Sequence, residues 1–137
     1  THDALSLLQF LSQLPANSAK PSVLAAAFGS TGPLLAAARA IAPSALTRTA
    51  LHSGGFRFAS VTDFRDAQFL AGAVKYLDLP GLLALGTPSP LWLSGEPSLP
   101  EPLSQITASH RDSVTLHSGN SDPAAALDWL LAQSASR

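Results

Sequence analysis

Residues 22–33 read SVLAAAFGSTGP. Residues 22–28 form a continuous apolar run without alternation, which is typical of a strand covered on both faces in a parallel sheet. The glycines that follow predict a tight turn, and Pro33 is well placed as the first residue of a helix that continues to Ile41. This stretch therefore predicts a strand that leads through a sharp turn into a helix, as in α/β proteins.

The rest of the chain repeats this pattern. Helical spacing of leucines predicts a first helix at residues 2–14, and proline, asparagine and serine indicate a loop at 15–21. Further strands are predicted at 45–52, 90–94 and 113–117, with helices at 67–77, 79–85, 102–110 and 123–134, the last capped by Asp122. The sum predicts an α/β fold, a three-layer αβα arrangement around a mainly parallel sheet of about four strands.

Composition limits the classes of function. The chain has 137 residues, which suits a single segment over 1–137, and its 46% apolar content excludes disorder by composition. A net charge of −1 gives no electrostatic footprint for nucleic acid or an anionic membrane surface. The absence of cysteine excludes disulfides, thiolate metal sites and a thiol nucleophile. No apolar run reaches the length of a membrane span, and the first residues do not resemble a signal peptide.

Two features suggest that this sequence belongs with something else. It contains no methionine, so we expect that an upstream segment of the translation product is missing. Charged residues make up 12%, about half of the usual share, so much of the surface must be alanine, leucine, serine and proline. Such a surface fits either an alanine-rich proteome or burial against a partner.

The turn after the first strand has the sequence context of a nucleophile elbow, in which a serine sits between a strand and a helix with small residues two positions away on each side. If Ser30 were the nucleophile, the bulky Phe28 would occupy one of those positions. If Gly29 holds the nucleophile position, its flanking residues are Ala27 and Thr31, which fit better. The better register therefore places a glycine where the attacking hydroxyl belongs.

The order and spacing of these segments resemble the carboxyl-terminal half of an α/β-hydrolase, in the branch of dienelactone hydrolases, acetyl xylan esterases and prolyl-oligopeptidase-like proteins. The resemblance covers nearly the whole chain and is carried by residues 23–41, by LHSGGFRF at 51–58, by LPGLLAL at 79–85 and by PLWL at 90–93. It implies that the strand at 22–28 bears the nucleophile, that an acid follows the third strand and that a histidine follows the fourth.

Two of those three catalytic residues are missing in the better register. The nucleophile position falls on Gly29, and the loop at 119–123 contains no histidine. Glu96 or Glu101 can supply the acid after the third strand. The resemblance therefore implies a segment related to carboxylic-ester hydrolases that is catalytically degenerate at its own elbow.

Two alternatives remain open. In the first, Ser30, His117 and Glu96 form a displaced triad and the protein is a serine esterase acting on a small ester or a carbohydrate ester; its nucleophile and base must then lie about 2.6–3.2 Å apart. His117 as a strand histidine and Ser30 as a helix cap are the structural readings of the same residues. In the second alternative, the backbone amides of Gly29, Ser30, Thr31 and Gly32 bind an anion or phosphate.

Other polar residues point to ordinary roles. The four histidines have no partner at helical i,i+4 spacing, so we predict no metal site and no cofactor. Arg57 is placed either to bind a substrate carboxylate or to pair with Asp63 or Asp66.

The resemblance also implies a partner. In the hydrolase sheet the nucleophile strand lies in the middle, so in this chain it would form an exposed apolar edge, which is an aggregation hazard. We expect the missing amino-terminal half, or a second copy of the chain in a homo-oligomer, to cover that edge.

Overall fold

The computed structural model describes residues 2–13, 22–110 and 113–132. Its strands are β1 (Leu24–Ala27), β2 (Arg48–His52), β3 (Leu91–Ser94) and β4 (Val114–His117). Its α-helices are α1 (His2–Gln13), α2 (Gly32–Ile41), α3 (Asp78–Leu85), α4 (Leu103–Ser109) and α5 (Pro123–Ala132). The strands form one sheet in the order β1-β2-β3-β4 and every pair is parallel, which confirms the predicted α/β fold.

The helices cover the two faces of the sheet unequally. Residues of α2, α3 and α4 pack with Leu51, Leu91 and Leu93 in the largest core cluster, so these helices share one face. Alternate strand residues point to the opposite face, where Ala50 and Trp92 pack against α5. A sheet that grows strand by strand in one direction through right-handed crossovers puts its connecting helices on the same face, which accounts for this distribution.

Two buried arginines each donate to a helix: Arg39 joins α2 to α3, and Arg48 joins β2 to α5. Arg39 is fully buried and donates to the carbonyl oxygen of Leu83 at 2.9 Å near the end of α3, and burial lowers its pKa to about 10. Arg48 donates to the carbonyl oxygen of Leu130 at 3.1 Å in the last turn of α5 and lies 3.7 Å over the ring of Trp129. Cations at helix carboxyl ends are favoured by the helix dipole.

The prediction of a helix at 67–77 is wrong, since only Ala73–Tyr76 form a short 3-10 turn there. Asp66 Oδ1 accepts a hydrogen bond from the backbone N–H of Gln68 at 2.8 Å, a local bond that competes with helix formation, and Gly72 has φ +83°. Pro80 does not break α3, because it lies in the first turn, where a helix needs no N–H donor.

The last helix begins as predicted. The backbone N–H of Ala125 donates to Asp122 Oδ1 at 3.0 Å, which confirms Asp122 as the N-cap of α5. The predicted loop at 15–21 lies outside the described residues.

Candidate functional site

The carboxyl ends of parallel strands all lie at one end of the sheet, where α/β proteins usually bind ligands. In this chain the segments that follow β1 and β2 enclose an open cleft of about 340 Å³ at that end. The residues that line it are Gly29, Ser30, Pro33, His52, Ser53, Gly54, Phe56 and Gln68.

Gly29 is the residue with a positive φ in the turn between β1 and α2. Phe28 is still extended, with φ −131°, and Gly29 then adopts φ +60° before a 3-10 turn leads into the helix. A Cβ built on Gly29 meets nothing within 4 Å, so this position has room for a side chain. Ser30 and Thr31 are exposed, and the Thr31 hydroxyl donates to the Phe28 carbonyl oxygen at 2.8 Å.

Gly32 fixes the turn against the neighbouring strand. A Cβ on Gly32 would lie 2.2 Å from the carbonyl oxygen of His52, much closer than atoms can approach. Only glycine lets the first turn of α2 lie against the end of β2 in this way. The close approach explains why the two strand ends share one cleft.

His52 is a cleft residue that the sequence reasoning did not select. Its Nδ1 lies 3.0 Å from Oγ of Ser94, its register partner on β3, and Ser94 is fully buried. The position of His52 at the end of a predicted strand could have indicated a residue of the cleft. That conclusion requires knowing that β2 lies next to β1.

Glu96 is held in a closed polar network. Arg57 donates to its two carboxylate oxygens at 2.9 Å each, and the Ser53 hydroxyl donates to Oε1 at 2.8 Å. Burial alone would raise the pKa of Glu96, but the hydrogen bonds from Arg57 and Ser53 and the charge of Arg57 together lower it. The same hydrogen bond to Glu96 raises the pKa of Arg57. The predicted pairing of Arg57 with Asp63 or Asp66 is therefore wrong, because Arg57 pairs with Glu96.

The structure does not bring Ser30, His117 and Glu96 together. Both residues lie at the carboxyl ends of their strands, but Ser30 follows β1 and His117 ends β4, and these are the two outer strands of the sheet. Three strand spacings separate these edges, which amounts to about 14 Å. The imidazole of His117 stacks on Trp92, with ring centres 4.9 Å apart, and Glu96 is bound by Arg57 and Ser53.

Comparison of the chain with known protein families, with curated proteins and with solved structures finds no match. Within residues 2–13, 22–110 and 113–132, histidine and acidic side chains form no group of three that could hold a metal ion. Across the same residues, every helix is too short or too polar to span a membrane.

Proposed function

We propose that this chain is a segment of an α/β-hydrolase-like sheet, related to carboxylic-ester hydrolases, that supplies structure and an association surface instead of a catalytic nucleophile. One observation carries the proposal: Gly29, two residues after the end of β1, has φ +60° and open space where a side chain would stand. A positive φ in the turn between a strand and a helix supports reading Gly29 as the elbow position, and glycine has no hydroxyl that could attack a substrate.

The choice of register favours this function over an active serine esterase. A nucleophile elbow holds the reactive residue in the strained conformation at the top of the turn. In this turn the positive φ belongs to Gly29, and Ser30 is the next residue, within the 3-10 turn. The resemblance assigns the acid to the loop that contains Glu96, and this carboxylate already accepts hydrogen bonds from Arg57 and Ser53.

The association surface is the edge formed by β1. An edge strand leaves the backbone N–H and C=O groups of alternate residues without a neighbouring strand, which makes it a template for strand addition. Ala26 in this strand is exposed, as are Leu127 and Leu131 on α5, the helix that covers the same face of the sheet. A further strand, from the other half of a hydrolase sheet or from a second copy, would pair with β1.

Covalent labelling tests the catalytic part of this proposal. We expect the purified chain and its Ser30→Ala variant to be equally unreactive towards a fluorophosphonate probe and towards a small acetyl ester. Labelling that the wild-type chain shows and Ser30→Ala loses would overturn the proposal in favour of a serine esterase.

A matched pair of substitutions tests the association surface. Ala26 and Thr115 are both exposed and lie in the same register row, at opposite edges of the sheet. Lysine on an edge strand opposes strand addition. We therefore expect the wild-type chain to self-associate in analytical ultracentrifugation, Ala26→Lys to be a monomer, and Thr115→Lys to self-associate like the wild type. A wild-type chain that is a cooperatively folding monomer of 14.1 kDa would refute this part of the proposal.

A further inference from the structure

A second cavity lies between α3, α4 and the segment that leads into α3. Its volume is about 350 Å³, which is within the range of small-molecule sites. Small or aliphatic residues line it on both helices, Gly81 and Ala84 on α3 and Ile106 on α4. The cavity shares no lining residue with the cleft after β1 and β2, so it is a separate candidate site.

A strained turn forms one wall of this cavity. Leu77 has φ +63° and Asp78 has φ +62°, a backbone region that leucine rarely adopts. The Asp78 carboxylate fixes the turn, because it accepts hydrogen bonds from the backbone N–H groups of Phe58 at 2.7 Å and Ala59 at 2.9 Å. Strain that the surrounding structure maintains is concentrated at functional sites. The turn therefore supports a functional role for the cavity.

The surface around the cavity is apolar. Val74, Tyr76, Leu77 and Leu85 are each more than half exposed, and the last three line the cavity. Exposed apolar patches of this kind mark binding surfaces. The helices that flank the cavity have eight and seven residues, so they are only about 10–12 Å long. That extent is small beside the roughly 800 Å² that each partner contributes to a stable protein interface, which favours a small ligand.

Lys75 supplies the charge of the cavity. It is exposed, and it is the charged side chain among the described residues that line the cavity. Within the described parts of the chain the ammonium of Lys75 forms no ion pair, since the pair found there joins Arg57 and Glu96. The carboxylate of Asp78, close by in sequence, is already hydrogen-bonded to backbone amides. An apolar recess beside an unpaired cation favours a ligand with an apolar body and a negative group.

We propose that this cavity binds a small amphipathic anion, whose apolar body lies against α3 and α4 and whose negative group pairs with the ammonium of Lys75. Burial of the apolar body supplies most of the affinity. The ion pair adds a smaller part, because an exposed lysine remains hydrated and mobile. The site lies outside the turn that contains Gly29, so it does not depend on the assignment of that residue as an elbow.

Nuclear magnetic resonance of the ¹⁵N-labelled chain, titrated with hexane-1-sulfonate, tests the site. We expect saturable shifts of the backbone amides of Gly81, Leu85 and Ile106. Hexylammonium has the same chain and the opposite charge, so it should bind more weakly. Lys75→Gln should weaken hexane-1-sulfonate binding about threefold, the size of an exposed ion pair, without weakening hexylammonium binding. Arg65→Gln removes an exposed cation outside the cavity and should change neither.

A matched pair of leucine variants tests the apolar wall. Leu85 lines the cavity and is 55% exposed, whereas Leu127 is 50% exposed on α5, which covers the other face of the sheet. Leu85→Ser should weaken hexane-1-sulfonate binding about tenfold, the size of one exposed apolar side chain, and Leu127→Ser should leave it unchanged.

Three results would overturn the inference: shifts that do not saturate, equal binding of hexane-1-sulfonate and hexylammonium, or equal weakening by Leu85→Ser and Leu127→Ser. If Leu85→Ser does not fold, the comparison of the two probes and Lys75→Gln decide. Reaction of Ser30 with a fluorophosphonate would overturn the proposed function and leave these results unaffected.

Discussion

The carboxyl ends of β1 and β3 lie at the same end of one sheet, yet the polar groups that follow them differ in burial and in hydrogen bonding. After β3, Glu96 is 6% exposed, and two neighbouring side chains supply its hydrogen bonds. After β1, Gly29 and Ser30 are exposed and line an open cleft. The difference shows that the β3 end stabilises the fold, whereas the β1 end has surface that a ligand can reach.

The largest effect should come from Gly32→Ala, which tests how the β1 end is built. The new Cβ would lie 2.2 Å from the His52 carbonyl oxygen, so α2 or β2 must move. We expect the free energy of unfolding to fall by about 3 kcal/mol or more, as in overpacked cores. Urea unfolding followed by circular dichroism measures the change.

Gly72→Ala is a suitable comparison for Gly32→Ala. Gly72 is exposed, and a Cβ at this position would meet nothing within 4 Å, but its φ is +83°. Its substitution adds backbone strain without a steric clash, so the loss should be about 1 kcal/mol. If Gly32→Ala is no more destabilising than Gly72→Ala, the contact between α2 and β2 is looser than the structure indicates.

The next largest effect should come from Glu96→Gln at the β3 end. The amide cannot take a bidentate pair of charged hydrogen bonds from Arg57, and it leaves that guanidinium without its partner. We expect a loss of about 2 kcal/mol in unfolding free energy. Glu101→Gln, in the same loop but exposed, should change stability by less than about 0.5 kcal/mol. Equal effects of the two substitutions would contradict a structural role for Glu96.

The pH dependence of stability should report the lowered pKa of Glu96. The pKa of Glu96 is lowered in the folded chain, so its contribution is fully present above the unfolded pKa of about 4.3. The contribution is lost as pH falls through the lower folded pKa. Unfolding midpoints measured between about pH 6 and pH 3 should therefore fall more steeply for the wild-type chain than for Glu96→Gln. Parallel pH profiles would show that Glu96 is not the carboxylate responsible.

Local signals in the sequence were enough for the parts of the fold that depend on neighbours along the chain. The apolar run before Gly29 predicted β1, Pro33 predicted the start of α2, and Asp122 predicted the start of α5. Each signal acts within a few residues through burial, fixed φ or capping. The helix predicted at 67–77 does not form. An interaction that is equally local, the hydrogen bond from the Gln68 backbone N–H to Asp66 Oδ1, competes with it.

The candidate site needed information that the sequence pattern does not contain. Arg57 and Glu96 pair across 39 positions because β2 and β3 are neighbours in the sheet. The acids close to Arg57 in sequence, Asp63 and Asp66, were therefore the wrong choice. His52 lines the cleft because β2 lies next to β1, and the sequence pattern does not show that these two strands are neighbours.

The smallest loss of stability should come from substitutions of Gly29 in the turn after β1. Gly29→Ala places a Cβ in open space, so the expected cost is backbone strain at φ +60°, about 1 kcal/mol. Gly29→Asn should cost less than Gly29→Ala, because asparagine tolerates the left-handed region better. Thermal unfolding of the three chains gives the order Gly, Asn, Ala. An alanine variant as stable as the wild type would mean that the turn does not hold Gly29 in the conformation of an elbow, and the proposed register would then fail.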